Sequence, residues 1–235
     1  MDKNTNIYRA LDRILYFSSG VNFLYDIGIF LLQGVLGLLA PFNEKINRFL
    51  TGRKSTFENL EKEIKKGDRT LWFHCASLGE FEQGRPVIEA LSARNPDYKI
   101  VLTFFSPSGY EVQKDYALAD VIVYLPLDTR KNAKKFLEVV HPTLAVFVKY
   151  EFWPNILNEL KNQEIPTYLI SGIFREDQIF FKGYGGWMRK VLLGFSHFFV
   201  QNSHSLSLLK TLGIQEATLS GDTRFDRVYS LLKKD

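Results

Sequence analysis

The chain is nearly free of cysteine, with Cys75 alone among 235 residues. One thiol excludes an intramolecular disulfide framework and fits a reducing compartment. His74 directly precedes it, but neighbours on a strand face opposite ways, so these two do not make a nucleophilic pair and a half-buried thiol is expected. The other histidines, His141, His197 and His204, show no metal-ligand spacing with one another or with Cys75, so no structural zinc is expected. Long basic runs are also missing. The net charge of +4 favours anionic partners without calling for nucleic acid. Neither a G-x-G-x-x-G fingerprint nor a Walker sequence occurs, which removes the motif-level case for NAD or ATP. Internal repeats and low-complexity segments are absent as well.

What the chain does have begins with an apolar amino-terminal stretch, Ile14 to Ala40. Within Val21 to Ala40 only Asn22, Asp26 and Gln33 are strongly polar, and this length matches a bilayer span of about 20 residues. Asp26 argues against a simple span, because a central carboxylate costs about 2.5–3.5 kcal/mol there. Three readings therefore stay open: a spanning anchor, an in-plane or re-entrant helix, and a buried helix of a soluble domain. Gly28, Gly34 and Gly37 suit close helix packing. Lys3, Arg9 and Arg13 before the segment nearly balance Lys45, Arg48, Arg53 and Lys54 after it, so charge does not set an orientation. Residues 44–69 then form a charged connector that is either drawn to anionic lipid or a solvated helix face. Residues 1–50 read as anchor and connector, and 51–235 as the globular domain.

From Thr70 onward, short β-rich runs alternate with helical patterns. Strands are expected at Leu71–His74, Lys99–Phe104, Val121–Tyr124, Thr143–Val148, Thr167–Ile170, His197–Val200 and Ala217–Leu219. Helices are expected at Glu80–Ala93, Ser108–Tyr116, Thr129–Val139, Trp153–Lys161, Gly185–Leu193 and Ser203–Thr211. Such alternation implies an α/β fold, a Rossmann-like doubly wound parallel sheet with right-handed crossovers.

In that fold the loops after the strands share one rim, where binding groups gather. The first holds Ser77, Gly79 and Glu80, with the S-x-x-E spacing of a capping box and with a carboxylate placed for acid–base work. Both roles stay open for Glu80. Ser106, Ser108 and Gly109 offer hydroxyls and amides to an anion, or ordinary capping. Lys149 to Asn155, with Glu151 and Trp153, reads as a ligand loop or a salt-bridged helix entry. Arg175 suits a phosphate or carboxylate, or pairs with Glu176 or Asp177. The aromatic and basic stretch Phe180 to Lys190 fits either a lipid surface or a core-facing helix.

Taken in order, these pieces resemble the amino-terminal half of the transferases of 3-deoxy-D-manno-octulosonic acid (Kdo). The resemblance rests on the apolar amino-terminal segment and Trp72-Phe73-His74 with Ser77, Gly79 and Glu80; then on Thr103 with Ser106, Ser108 and Gly109. It continues through Tyr124, Pro126 and Asp128, Glu151-Phe152-Trp153-Pro154-Asn155, Ser171 with Arg175, and Gly221-Asp222-Thr223-Arg224-Phe225-Asp226-Arg227-Val228. It implies the GT-B architecture, with an acceptor domain here and a donor-binding carboxy-terminal domain absent from this chain. It also implies inverting, metal-independent transfer of Kdo from CMP-Kdo, a co-substrate rather than a cofactor, onto a lipid A precursor (lipid IVA) in lipopolysaccharide biosynthesis. The implied setting is the cytoplasmic face of the inner membrane, against phospholipid. By the same resemblance Glu80 is the general base, and Arg175 and Arg224 are candidates to stabilise the departing phosphate. Lys149 and Gly172 depart from the family pattern and receive no role from it. Two other readings are a GT-B transferase of another nucleotide sugar and a non-catalytic membrane-associated glycolipid-binding module. As half an enzyme, the chain alone is expected to lack turnover while keeping affinity for acidic glycolipid.

Overall fold

A computed structural model of the protein describes residues 23–224. Lys3, Arg9, Arg13, the first part of the apolar stretch (14–22) and the closing Phe225 to Val228 lie outside the described residues. Seven strands form one sheet: β1 (Arg69–Cys75), β2 (Tyr98–Phe104), β3 (Val121–Tyr124), β4 (Pro142–Val148), β5 (Thr167–Gly172), β6 (His197–Val200) and β7 (Ala217–Leu219). Their order is β3-β2-β1-β4-β5-β6-β7, and every neighbouring pair is parallel. The strands are continuous apolar runs because both faces of such a sheet are covered. On β1 the alternation is visible: Trp72 joins the core on one face, while Leu71, Phe73 and Cys75 join the core on the other.

The helices are α1 (Phe23–Phe42), α2 (Glu44–Thr51), α3 (Thr56–Glu63), α4 (Leu78–Arg94), α5 (Pro107–Gln113), α6 (Arg130–Val140), α7 (Pro154–Asn162), α8 (Gly186–Leu192) and α9 (Ser203–Thr211). Helices α4 and α5 cover the face that holds Phe73, with Phe81 and Ile88 buried there. Residues of α3, α6, α7, α8 and α9 fill the other, including Leu60, Phe136, Leu157, Leu192 and Leu209. The expected strands and six expected helices are all present, with ends shifted by at most three residues. The charged connector is more than a solvated face. It folds into α2 and α3, which lodge Leu60 in the core and donate the Thr56 hydroxyl to the carbonyl of Tyr124 at 3.0 Å. Between them Arg53 is held by the carbonyls of Leu125, Phe49 and Phe105 at 2.6–2.9 Å, with Phe49 and Phe105 rings against its guanidinium. Burial without a carboxylate partner pulls its pKa down to about 9.

Helix α1 is apolar along its length and exposes Phe23, Phe30, Leu38 and Phe42 to the outside. The expectation that its glycines serve helix packing is not met. A Cβ at Gly28, Gly34 or Gly37 would touch nothing, so no neighbouring helix approaches them among the described residues.

Helix α7 shows how loops from separate crossovers are joined. Its N-cap residue, Trp153, makes no side-chain cap. Asp128, from the loop after β3, caps it instead: its two oxygens accept the backbone N–H groups of Asn155 and Ile156 at 3.0 and 2.9 Å. It also accepts the Tyr25 hydroxyl of α1 at 2.9 Å. Burial outweighs these donors and raises the Asp128 pKa to about 6. Because the folded value lies above the ordinary one, the folded state keeps a proton that the unfolded state has released between about pH 4 and 6. The contribution is therefore full at acid pH and lost as pH rises through about 6. Urea unfolding of the wild type and of Asp128→Asn at pH 4 and pH 7 checks this. The wild-type advantage should shrink by about 2 kcal/mol from the lower to the higher pH.

Candidate functional site

The strand order reverses between β1 and β4, and open α/β sheets place ligands in the crevice beyond the carboxyl ends of the strands at that point. The loops after β1, β2 and β4 meet here. The register sets His74 of β1 beside Thr103 of β2 and Phe147 of β4. A buried chain of hydrogen bonds follows. Trp72 Nε1 donates to Thr103 Oγ1 at 2.9 Å, and the same hydroxyl meets His74 Nδ1 at 2.9 Å. His74 Nε2 lies 3.1 Å from Glu151 Oε2, which also accepts Trp153 Nε1 at 2.8 Å. With the ring proton on Nε2, Thr103 donates to Nδ1 and Nε2 donates to the carboxylate, which also takes the Trp153 N–H. Glu151 thus closes a network beneath the rim. Its partners are His74 and Trp153 rather than Lys149, and the helix start is capped by Asp128.

Glu80 lies in the first turn of α4, just after β1, and keeps 15% of its side chain exposed. Ser77 is the N-cap residue with an extended backbone, but it makes no side-chain cap to the helix. Its hydroxyl donates to the Glu80 carboxylate instead. The reciprocal capping box suggested by the spacing is therefore not formed: serine and glutamate bind each other. The second Glu80 oxygen lies 3.9 Å from Lys149 Nζ. Lys149 holds a left-handed backbone at φ 72°, as does buried Ser171 at φ 52°, so two ends of central strands carry sparsely populated conformations at the rim. Gly79 is exposed, and a Cβ there would approach only the Ser77 hydroxyl, at 3.8 Å. The Cys75 thiol is fully buried rather than half-buried. Burial, with the Glu80 and Glu151 carboxylates nearby, pushes its pKa well above the ordinary value.

The remaining predicted residues divide. Ser106 caps α5 by accepting the Ser108 amide at 3.2 Å, its own amide donates to Ala76 O at 2.7 Å, and the two serine hydroxyls meet at 2.9 Å. Gly109 is demanded by packing, since a Cβ would fall 2.3 Å from the Phe104 ring and 3.0 Å from the Ser77 backbone. Trp153 lies against Phe105, with ring centroids 4.6 Å apart. Arg175 is exposed, with Nε 3.5 Å from Asp177 and a guanidinium N–H donated to the Tyr150 hydroxyl at 3.4 Å. Arg224 is gripped by Asp222, whose pKa it lowers to about 2. Both arginines are thus paired with neighbouring carboxylates. The segment bearing Arg224 nevertheless reaches the rim: Thr223 Oγ1 bonds the Gln83 carbonyl at 2.6 Å and meets Ser171 Oγ at 2.8 Å. Phe180, Phe181 and Trp187 pack into or against the core, so the aromatic, basic stretch is a core-facing element. Among the described residues, no three His, Cys, Asp or Glu side chains converge as metal ligands.

Residues 48–227 match the family model described as 3-Deoxy-D-manno-octulosonic-acid transferase (kdotransferase). The chain belongs to the Kdo transferase family. Among curated relatives, a 3-deoxy-D-manno-octulosonic acid transferase of Aquifex aeolicus is 27% identical over 167 residues, covering 70% of this chain and 43% of the relative. One of Haemophilus influenzae is 29% identical over 132 residues, covering 56% and 30%. A bifunctional glycosyltransferase/methyltransferase of Fusobacterium nucleatum is 30% identical over 145 residues, covering 58% and 21%. This Kdo transferase-family chain thus spans well under half the length of these relatives. Among solved structures, the UDP-GlcNAc 2-epimerase of Neisseria meningitidis bound to UDP-GlcNAc superposes with a TM-score of 0.52 at 17% identity, covering 71% of this chain and 50% of that one. The putative UDP-N-acetylglucosamine 2-epimerase of Listeria monocytogenes gives 0.54 at 9% identity, covering 68% and 46%. These likenesses concern the Rossmann-like fold.

Two substitutions test this geometry. Thr103→Val leaves the buried Trp72 and His74 nitrogens without their shared partner and should cost on the order of 2–4 kcal/mol in denaturant unfolding. Gly109→Ala forces its methyl into the Phe104 ring and should cost about 1–3 kcal/mol in the same measurement.

Proposed function

We propose that the chain is the acceptor-binding half of an inverting transferase that moves Kdo from CMP-Kdo to a lipid A precursor such as lipid IVA. The observation that carries this reading is the Glu80 carboxylate at the sheet's switch point. It is steadied by Ser77 and Lys149, stays partly exposed, and directly follows the exposed Gly79. In the proposed step an acceptor hydroxyl oxygen attacks the anomeric carbon of Kdo while Glu80 takes the hydroxyl proton, and the bond to the phosphate of CMP breaks with its electron pair leaving on CMP. The base must come within about 2.6–3.2 Å of that hydroxyl. Lys149 and the uncapped amides at the start of α4 supply positive potential beside the same spot. Arg175 and Arg224 remain candidates for the leaving phosphate, provided the anion displaces Asp177 and Asp222 from them. The proposal places the protein at the inner membrane, facing the cytoplasm, with CMP-Kdo bound by a carboxy-terminal domain beyond these residues and no cofactor required.

Glu80→Gln in the full-length enzyme should lower kcat by about 10²–10⁴-fold with little change in KM, the size expected for loss of a general base. Assay of CMP-Kdo against uridine-linked sugars, with lipid IVA as acceptor, checks both the residue and the donor. Near-normal turnover of the variant would exclude Glu80 as base, and preference for a uridine-linked donor would exclude Kdo.

A further inference from the structure

Helix α1 is long enough to cross a bilayer, yet it lies along the domain rather than leaving it. Its half-buried positions are Tyr25, Asp26, Ile29, Leu36 and Ala40, and the rest of the helix is exposed. Positions 25, 29, 36 and 40 are spaced 4, 7 and 4 apart, so they form one stripe of the helix, about 22 Å long. A polar latch secures its beginning. Tyr25 donates to Asp128, Asp26 accepts from Asn155 Nδ2 at 2.8 Å, and Arg130 Nε lies 2.8 Å from the other Asp26 oxygen. Tyr25 also approaches the Trp187 ring, at 6.1 Å between centroids. Farther along, Gln33 and Gly37 border a cleft of about 370 Å³ whose other wall includes Phe57, Pro126 and Leu127.

We infer that α1 lies in the plane of the bilayer interface, its exposed apolar side in the acyl boundary of an anionic membrane and its docked stripe fixed to the domain. A spanning arrangement conflicts with the neighbours of the latch. Asn158, Glu159 and Asn162 line the cleft beside Arg130 and Asn155, and a helix standing across the bilayer would carry this polar surface into hydrocarbon. The outward side is ten large apolar residues, from Phe23 to Phe42, all at least 38% exposed. The charge next to it is complementary to acidic headgroups: Lys45 follows on α2, where Arg48 is paired with Glu44, and Lys54 borders the cleft. The latch ties α1 to the loop after β3 and to the starts of α6 and α7, so the membrane surface is set beside the same rim that carries Glu80. This extends the membrane placement proposed above, but its test reads depth rather than catalysis, so either can fail alone.

Single cysteines at Phe23, Phe30, Leu38 and Phe42, each carrying a nitroxide, would be measured with the chain bound to vesicles of equimolar phosphatidylglycerol and phosphatidylcholine. The buried Cys75 stays unlabelled. All four labels should sit at one shallow depth, about 5–10 Å below the headgroups, in a single leaflet. A depth profile that peaks at Phe30 with the end labels in opposite leaflets would overturn the proposal in favour of a span. Labels that stay in water, or that broaden one another in lipid-free solution through pairing of two copies, would overturn it as well. Omitting phosphatidylglycerol should weaken partitioning on the order of tenfold, as for one or two basic residues near the surface; unchanged partitioning would overturn the anionic choice. Tyr25→Phe with Asp26→Ala should spread the four depths apart while leaving partitioning intact, and an unchanged uniform depth would overturn the role of the latch.

Discussion

The hydrogen-bond chain from Trp72 through Thr103 and His74 to Glu151 and Trp153 is the constraint on which the rest of the rim depends. It crosslinks the ends of β1 and β2 and the loop after β4, the three elements flanking the reversal of strand order. Buried polar groups are costly unless paired, so a fully paired chain of this kind admits one arrangement and penalises others. Glu80 sits in the first turn of α4, three residues after the N-cap that follows β1, the strand that carries Trp72 and His74. Its carboxylate has one oxygen on a hydroxyl and the other near an ammonium, which orients it while leaving a side open.

The rim also shows a division of labour between strained and relaxed backbone. Lys149 and Ser171 take left-handed conformations at strand ends, whereas Ser77, Ser106 and Trp153 are ordinary extended helix entries. The left-handed backbone at Lys149 accompanies a side chain turned back toward Glu80 across the crevice. A family pattern gave no reason to single out this lysine, and its contact is the clearest addition that the structure makes to the site.

The sheet was legible in the sequence because each central strand is buried on both faces and so reads as an unbroken apolar run between turn residues. Leu71 to His74 and Thr143 to Val148 are examples, and their ends moved by two residues at most. The rim was legible for the same reason, as the set of loops after those runs. What escaped was every pairing between distant residues. His74 with Glu151 is separated by 77 positions, Tyr25 with Asp128 by 103, and Arg53 with Leu125 by 72. Nothing local marks such partners. The Ser77–Glu80 spacing misled in a different way: the interval was right for a capping box, but the serine hydroxyl donates to the glutamate carboxylate instead of accepting a helix amide. The glycines of α1 misled because composition alone does not say which side of a helix meets a neighbour.

Asp128 binds a side chain of the amino-terminal helix and two amides at the start of α7, and its own loop belongs to neither. Three stretches of polypeptide, remote in sequence, therefore share a single acceptor. They are mechanically one unit. Removing the Tyr25 phenol leaves the Asp128 carboxylate to its two backbone amides, and removing the carboxylate uncaps α7 and unfastens α1 in a single step, so a disturbance at any one of the three is felt at the other two.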